Sequence, residues 1–167
     1  MIINKLKKKT ICCLCKVDLY NINMKHLILI YILFLSFKLV GNDYILSWLG
    51  EVKDTKTIAF PDKSIYKIVN PFGYWEDNKG QYGKINCLGW VKTTNNRETL
   101  EVSCEAIDNN NEEFWFVLNR DSEIGAGIGK TTYIAGTGKY KKLINKVCKY
   151  AINHAQEGFF YKQQCKT

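Results

Sequence analysis

Seven cysteines carry the most readable chemistry of this chain, because four of them are spaced in matched pairs. Cys87 and Cys104 stand seventeen positions apart, and so do Cys148 and Cys165. Each pair straddles a polar, turn-forming centre: Thr93-Thr94-Asn95-Asn96 for the first, His154-Ala155-Gln156-Glu157 for the second. Folding the chain back about either centre sets its two thiols opposite each other on antiparallel strands. Facing Cα atoms there lie about 4.5–5.5 Å apart, a span that a disulfide bridges. The expected chemistry is therefore oxidation to two cross-strand disulfides, 87–104 and 148–165. Side-chain alternation supports the first without reference to sulfur. The same register opposes Val91 to Leu100, Gly89 to Val102 and Ile85 to Ala106 on one face, with Lys84, Asn86, Glu101, Ser103 and Glu105 on the other. A one-residue slip would scramble that match. The second register opposes Ile152 to Tyr161 and Tyr150 to Gln163. Four cysteines admit three connectivities, and four free buried thiols are the reading that a reducing compartment would favour.

Other residue types tempt toward catalysis and fall short. Gly125-Ala126-Gly127-Ile128-Gly129-Lys130-Thr131 resembles a phosphate-binding loop, but that pattern needs four residues between its first glycine and the Gly-Lys pair, and the position this requires is Ile124. A strand-like Thr131-Thr132-Tyr133-Ile134-Ala135 follows in place of the helix whose amides would hold phosphate. Asp108, Glu112 and Glu113 flank a turn and are expected to face water. His154 is the one histidine after the leader, which excludes a two- or three-histidine metal site, and no nucleophile motif stands beside it. Lys139, Lys141, Lys142, Lys146 and Lys149 interleave with Tyr140 and Tyr150 and read as a lysine-guarded solvated edge. No catalytic residue, cofactor site or metal site is expected. The aromatics remain as a binding inventory. Most belong to a core, and Trp90, Phe114, Phe116 and Tyr133 are the candidates for lining a ligand cavity, since such cavities are mostly apolar.

The segment that delivers these residues matters as much as the residues. Met24-Lys25-His26 and the apolar run Leu27 to Phe37 have the form of a secretory signal peptide, with cleavage expected near Gly41. The run is eleven residues, against about 20 for a membrane-spanning helix, so no stable span is expected in the mature form. Met24 then reads as the true start, and residues 1–23 as a mis-start or extended n-region. Cys12, Cys13 and Cys15 fall in that stretch, without the second Cys/His pair a zinc site needs. The leader also explains the charge. Of the formal +8, residues up to Gly41 hold +6, and +2 remains from Asn42 onward. A nearly neutral mature chain gives no field for steering nucleic acid. Residues 42–167 suit one domain. Short runs rich in aromatic and β-branched residues alternate with Gly, Asn and Asp clusters. Asp43 to Val52 reads as a strand or short helix, Thr57–Phe60 and Ile65–Val69 as strands, and Asn70-Pro71-Phe72-Gly73 as a turn. About eight antiparallel strands predict an all-β closed barrel, with a β-sandwich as the alternative.

Three segments carry a resemblance: Asn86-Cys87-Leu88-Gly89, Cys104-Glu105-Ala106-Ile107-Asp108, and Gly136-Thr137-Gly138-Lys139-Tyr140-Lys141. Together, over residues 83–167, they resemble small bacterial exported proteins of uncharacterised function with a lipocalin-like or allene oxide cyclase-like (dirigent-like) barrel. The Gly-Thr-Gly segment normally continues into further small residues; here Lys142-Leu143-Ile144-Asn145 stands instead. The resemblance implies a barrel and no activity, because no catalytic residue of those families maps onto this chain. Three functions follow as expectations. The first is an exported (periplasmic or secreted) non-enzymatic barrel binding a small apolar or amphipathic ligand in its interior. The second is a cavity enzyme of the cyclase or isomerase type. The third is a structural or surface-interaction protein with a filled barrel.

Overall fold

The computed structural model describes residues 43–124, 127–156 and 158–166. The expected leader, its cleavage near Gly41 and the choice between Met1 and Met24 lie outside the described residues, as do Gly125 and Ala126 of the glycine loop. Eight strands follow in order: β1 Tyr44–Ala59, β2 Ile65–Asp77, β3 Tyr82–Thr94, β4 Arg97–Asp108, β5 Glu113–Glu123, β6 Ile128–Gly136, β7 Val147–His154 and β8 Phe159–Cys165. Each pairs antiparallel with the next, and β1 pairs back with β8 to close an up-and-down barrel. Among the described residues no helix is long and apolar enough to cross a membrane.

The local chemistry explains the meander. Asn95 and Asn96 both adopt positive φ, at 47° and 64°, between β3 and β4, the tight-hairpin geometry that asparagine tolerates. The register there is the expected one, with Cys87 opposite Cys104, Val91 opposite Leu100 and Ile85 opposite Ala106. The β7–β8 register also holds, with Tyr150 opposite Gln163 and Ile152 opposite Tyr161. Both disulfides form, at Cα separations of 4.1 and 4.3 Å, and all four cysteines are buried on the lumen side. After Gly136, the chain winds through a short 3-10 turn, Gly138–Leu143, before β7 begins. The turn seats Tyr140 and Leu143 over one end of the barrel.

Two expectations need correction. Asn70-Pro71-Phe72-Gly73 is not a turn; it lies inside β2. Proline removes a ladder donor, and the β2–β3 ladder skips between Val69↔Gly89 and Phe72↔Asn86. The Asn70 side chain supplies the missing donor: its Nδ2 donates to the Cys87 carbonyl at 2.5 Å. A turn-like composition is thus carried within a strand by one amide. Asp108, expected in water, has a fully buried side chain. Its Oδ1 accepts the amides of Asn110 (2.7 Å) and Glu112 (2.9 Å). Its Oδ2 meets Lys139 Nζ at 2.5 Å and accepts the Tyr140 hydroxyl at 3.0 Å. The carboxylate clasps the β4–β5 turn to the 3-10 turn.

At the opposite end, β1 runs on past β8. β8 covers β1 only from Tyr44 to Gly50, so the rest of β1 pairs with β2 alone and projects as an arm. Lys53, Lys56 and a register shift between Asp54 and Lys56 interrupt its free edge, the usual guards against edge-to-edge pairing.

Candidate functional site

Strand alternation sends one set of side chains inward, and that set fills the lumen. Phe114, Phe116, Tyr133, Phe159 and Tyr161 are fully buried. Phe114 packs on Tyr140 (4.6 Å between centroids), Trp75 (5.0 Å) and Phe116 (5.9 Å), and Trp48 packs edge-on against Phe159 at 4.7 Å. Four of the polar inward groups are joined: Thr131 Oγ1 lies 2.5 Å from the Tyr161 hydroxyl, which donates to Gln163 Oε1 at 2.9 Å. Gln163 Nε2 in turn donates to the Tyr133 hydroxyl. Burial holds the Tyr133 and Tyr161 hydroxyls well above the usual tyrosine range and pushes Tyr150 up to about 12 against the opposing charge of Arg120. These hydroxyls stay protonated and serve the core as hydrogen-bonding groups. Among the four expected lining residues, Phe114, Phe116 and Tyr133 come together on the lumen side. Trp90 has the opposite parity. It faces outward, stacked on Tyr66 at 5.8 Å.

The open space lies on the other side of the wall. A groove of about 760 Å³ crosses the outer face of the barrel, and the registers show how it is built. One bank is a cross-strand row, Phe160–Leu49–Tyr74–Lys84–Ile107–Glu113, running over β8, β1, β2, β3, β4 and β5. The other bank is the next outward row, Glu51–Phe72–Asn86–Glu105–Trp115. Between them the floor is the backbone of the inward row Phe159–Gly50–Gly73–Ile85–Ala106–Phe114. Same-face positions two residues apart set the banks roughly 7 Å apart, and six strands set a length of roughly 24 Å.

The floor residues explain why an outer wall is concave here. Gly50 and Gly73 face each other and Ala106 lies two strands on, so three of six floor positions offer little bulk to the lumen. The wall sinks toward the axis where inward side chains are small, and Trp48 fills what space is left. A Cβ on Gly50 would meet the Trp48 ring nitrogen at 2.6 Å and one on Gly73 at 2.9 Å, and either would also strike the opposite strand's backbone carbonyl.

The banks differ along their length. Over β8, β1 and β2 they are mainly apolar, with Leu49 57 %, Tyr74 68 % and Phe160 58 % exposed. Over β3, β4 and β5 they carry Lys84, Asn86, Glu105 and Glu113 beside Ile107 and Trp115. Lys84, Glu105 and Glu113 make no ion pair among the described residues. This end is held firmly. Asn70 Nδ2 donates to Asn86 Oδ1 at 2.9 Å, and Asn86 Nδ2 donates to Glu105 Oε1 at 3.4 Å. The Glu113 amide donates to Thr137 Oγ1 at 2.7 Å, and the Trp75 indole donates to the Lys84 carbonyl at 3.1 Å. Among the described residues no nucleophile–base pair stands in the groove, and the buried carboxylate of Asp108 is fully engaged elsewhere. The arrangement suits non-covalent capture of an elongated molecule.

Leu49, Phe72, Tyr74 and Phe160 were not singled out from the sequence. Phe159-Phe160-Tyr161 did hold the signal: three successive aromatics on a strand cannot all face inward, so one must face solvent. Comparison with known proteins adds no assignment: no protein-family model, curated protein or solved structure matches this chain.

Proposed function

We propose that this protein is an exported, non-catalytic β-barrel that captures one small amphipathic molecule on its outer wall. The observation that carries the reading is the groove itself. At about 760 Å³ it falls within the range of small-molecule sites, and it runs from a mainly apolar half, whose one carboxylate is Glu51, to a half that carries Lys84, Glu105 and Glu113. Its banks are one side-chain row apart, which matches a single extended chain better than a globular ligand. The lumen, by contrast, is packed with rings. Two disulfides between neighbouring strands accord with an oxidising compartment, as does the signal-like segment at residues 24–41. The alternative of a surface-interaction protein draws on the same filled lumen.

The test is titration of the oxidised protein with laurate below its micellar concentration, read by native mass spectrometry and amide NMR. One laurate per chain is expected, with shifts centred on β8, β1 and β2 and extending to Lys84 on β3. The double variant Leu49→Gln/Phe160→Gln, which puts no like charges on this cross-strand pair, should abolish binding while the barrel stays folded. Equal binding by that variant, or shifts confined to the lumen residues, would refute the groove as the ligand site.

A further inference from the structure

The groove's charged half is mixed in sign, and the arrangement of its charges narrows the ligand class, on the premise that the groove is the binding site. Lys84 stands on β3. Beyond Ile107, two strands on, Glu113 occupies the same bank, with Glu105 and Trp115 on the opposite bank directly across from each other. Glu113 and Trp115 share the outward face of β5, two residues apart. Two carboxylates thus border a half-buried indole, and one ammonium stands beside them, nearer the mainly apolar half of the groove with Phe72, Tyr74, Leu49 and Phe160. An indole face flanked by carboxylates attracts an organic cation, which it holds by quadrupole and charge together. A lysine ammonium attracts a phosphate or carboxylate as a point charge. The Cα atoms of Lys84 and Glu113 are separated by two strand spacings, about 10 Å, a gap that their long side chains shorten to the scale of one headgroup.

We propose that the groove selects an amphiphile with a zwitterionic head, its anionic group at Lys84 and its ammonium group among Glu105, Glu113 and Trp115, its tail lying over Tyr74, Leu49 and Phe160. The order along the groove is tail, anion, cation, which is the order of atoms in a phosphocholine or phosphoethanolamine lipid. Glu105 is the best positioned of the three cation-binding groups, because the Asn70–Asn86 side-chain chain fixes its carboxylate.

Four probes sharing one tail test this: lauroyl-lysophosphatidylcholine, laurate, dodecyl phosphate and dodecyltrimethylammonium, each below its micellar concentration. Glycerophosphocholine, which has the head and no tail, is the fifth. The zwitterion should bind about 10-fold more tightly than laurate, the sum expected of two exposed ion pairs and one cation–π contact. Glu105→Gln/Glu113→Gln should weaken the zwitterion and the ammonium probe about 5-fold, the cation–π contact with Trp115 remaining, while sparing dodecyl phosphate. Lys84→Met should weaken the zwitterion and dodecyl phosphate while sparing the ammonium probe. That crossed pattern is one a loss of fold would not produce. Weaker binding of glycerophosphocholine identifies a lipid as ligand; equal binding identifies a soluble headgroup as ligand and refutes the tail assignment. Equal affinity for all tailed probes in wild type and variants overturns the head assignment and leaves the groove standing. Failure of every tailed probe to bind removes the groove reading, and this one with it.

Discussion

Replacing Asp108 with asparagine keeps the shape of the side chain and removes its charge. One oxygen still accepts the amides of Asn110 and Glu112, but an NH2 group now faces the Lys139 ammonium, which held Oδ2 at 2.5 Å. A hydrogen bond to a charged partner contributes about 1.5–3 kcal/mol. The Lys139 side chain is one-third exposed, which screens the pair, so the loss should be about 2 kcal/mol. For a barrel of this size that is about 8 °C in Tm. The pH dependence is the sharper readout. Burial opposes ionisation of Asp108, but Lys139, the two amides and the Tyr140 hydroxyl outweigh it and hold the carboxyl below the usual carboxylate range. The unfolded chain takes up this proton near pH 4, and the folded protein takes it up only at lower pH. The contribution is therefore complete above about pH 5 and is lost as pH falls through the folded value. Urea denaturation of wild type and Asp108→Asn at half-unit steps from pH 6.5 to pH 3 is the assay. The two stability curves should differ by about 2 kcal/mol at pH 6 and converge toward pH 3. Parallel curves, or a difference below about 0.5 kcal/mol at pH 6, would refute the clasp.

Replacing either cysteine pair by alanines should cost about 3 kcal/mol, because each bridge joins residues seventeen positions apart and constrains the unfolded chain to a similar degree. The denaturant midpoint checks the cost, and non-reducing peptide mapping checks the connectivity. Phe116→Ala should cost about 3–5 kcal/mol through the cavity it leaves, whereas Trp90→Ala, on the outer face, should cost less than about 1 kcal/mol. Equal losses in urea titrations would mean that the inward–outward assignment of the two strands is wrong.

The parts of the fold legible in the sequence are those where one physical demand acts alone. Burial on one face dictates alternation, so Ile85, Cys87, Gly89 and Val91 foretold the β3–β4 register down to the residue, and the cysteines only confirmed it. Where two demands compete, the stronger is not visible in one dimension. Asn70-Pro71-Phe72-Gly73 has turn chemistry, yet a strand prevails there because Asn70 supplies the donor that proline lacks and because Gly73 must face Gly50 on β1. Asp108 sits beside a polar turn, yet it is buried, since Lys139 and Tyr140, some thirty residues on, arrive to satisfy it. The groove was the least legible part. Its banks draw one or two residues from each of six strands, so no local window contains it. Its cause is the set of small residues Gly50, Gly73 and Ala106 on the lumen face, which has meaning only once β1 to β4 lie in order around the barrel.

The closure between β1 and β8 has a further consequence. Tyr44 pairs with Cys165, so the first and last strands are ladder partners, and every other strand pairs with its neighbour in sequence. Seven of the eight seams can zip from a hairpin, while the eighth must join strands more than a hundred residues apart, which makes it the costly step in loop entropy. In geometry, however, no seam is privileged. A circularly permuted chain, joined from Cys165 to Tyr44 by a short linker and opened at the Pro61-Asp62 tip of the arm, would trace the same ring of ladders. Its slow closure would move to the β1–β2 seam, separating the barrel's topology from the order in which its strands leave the ribosome.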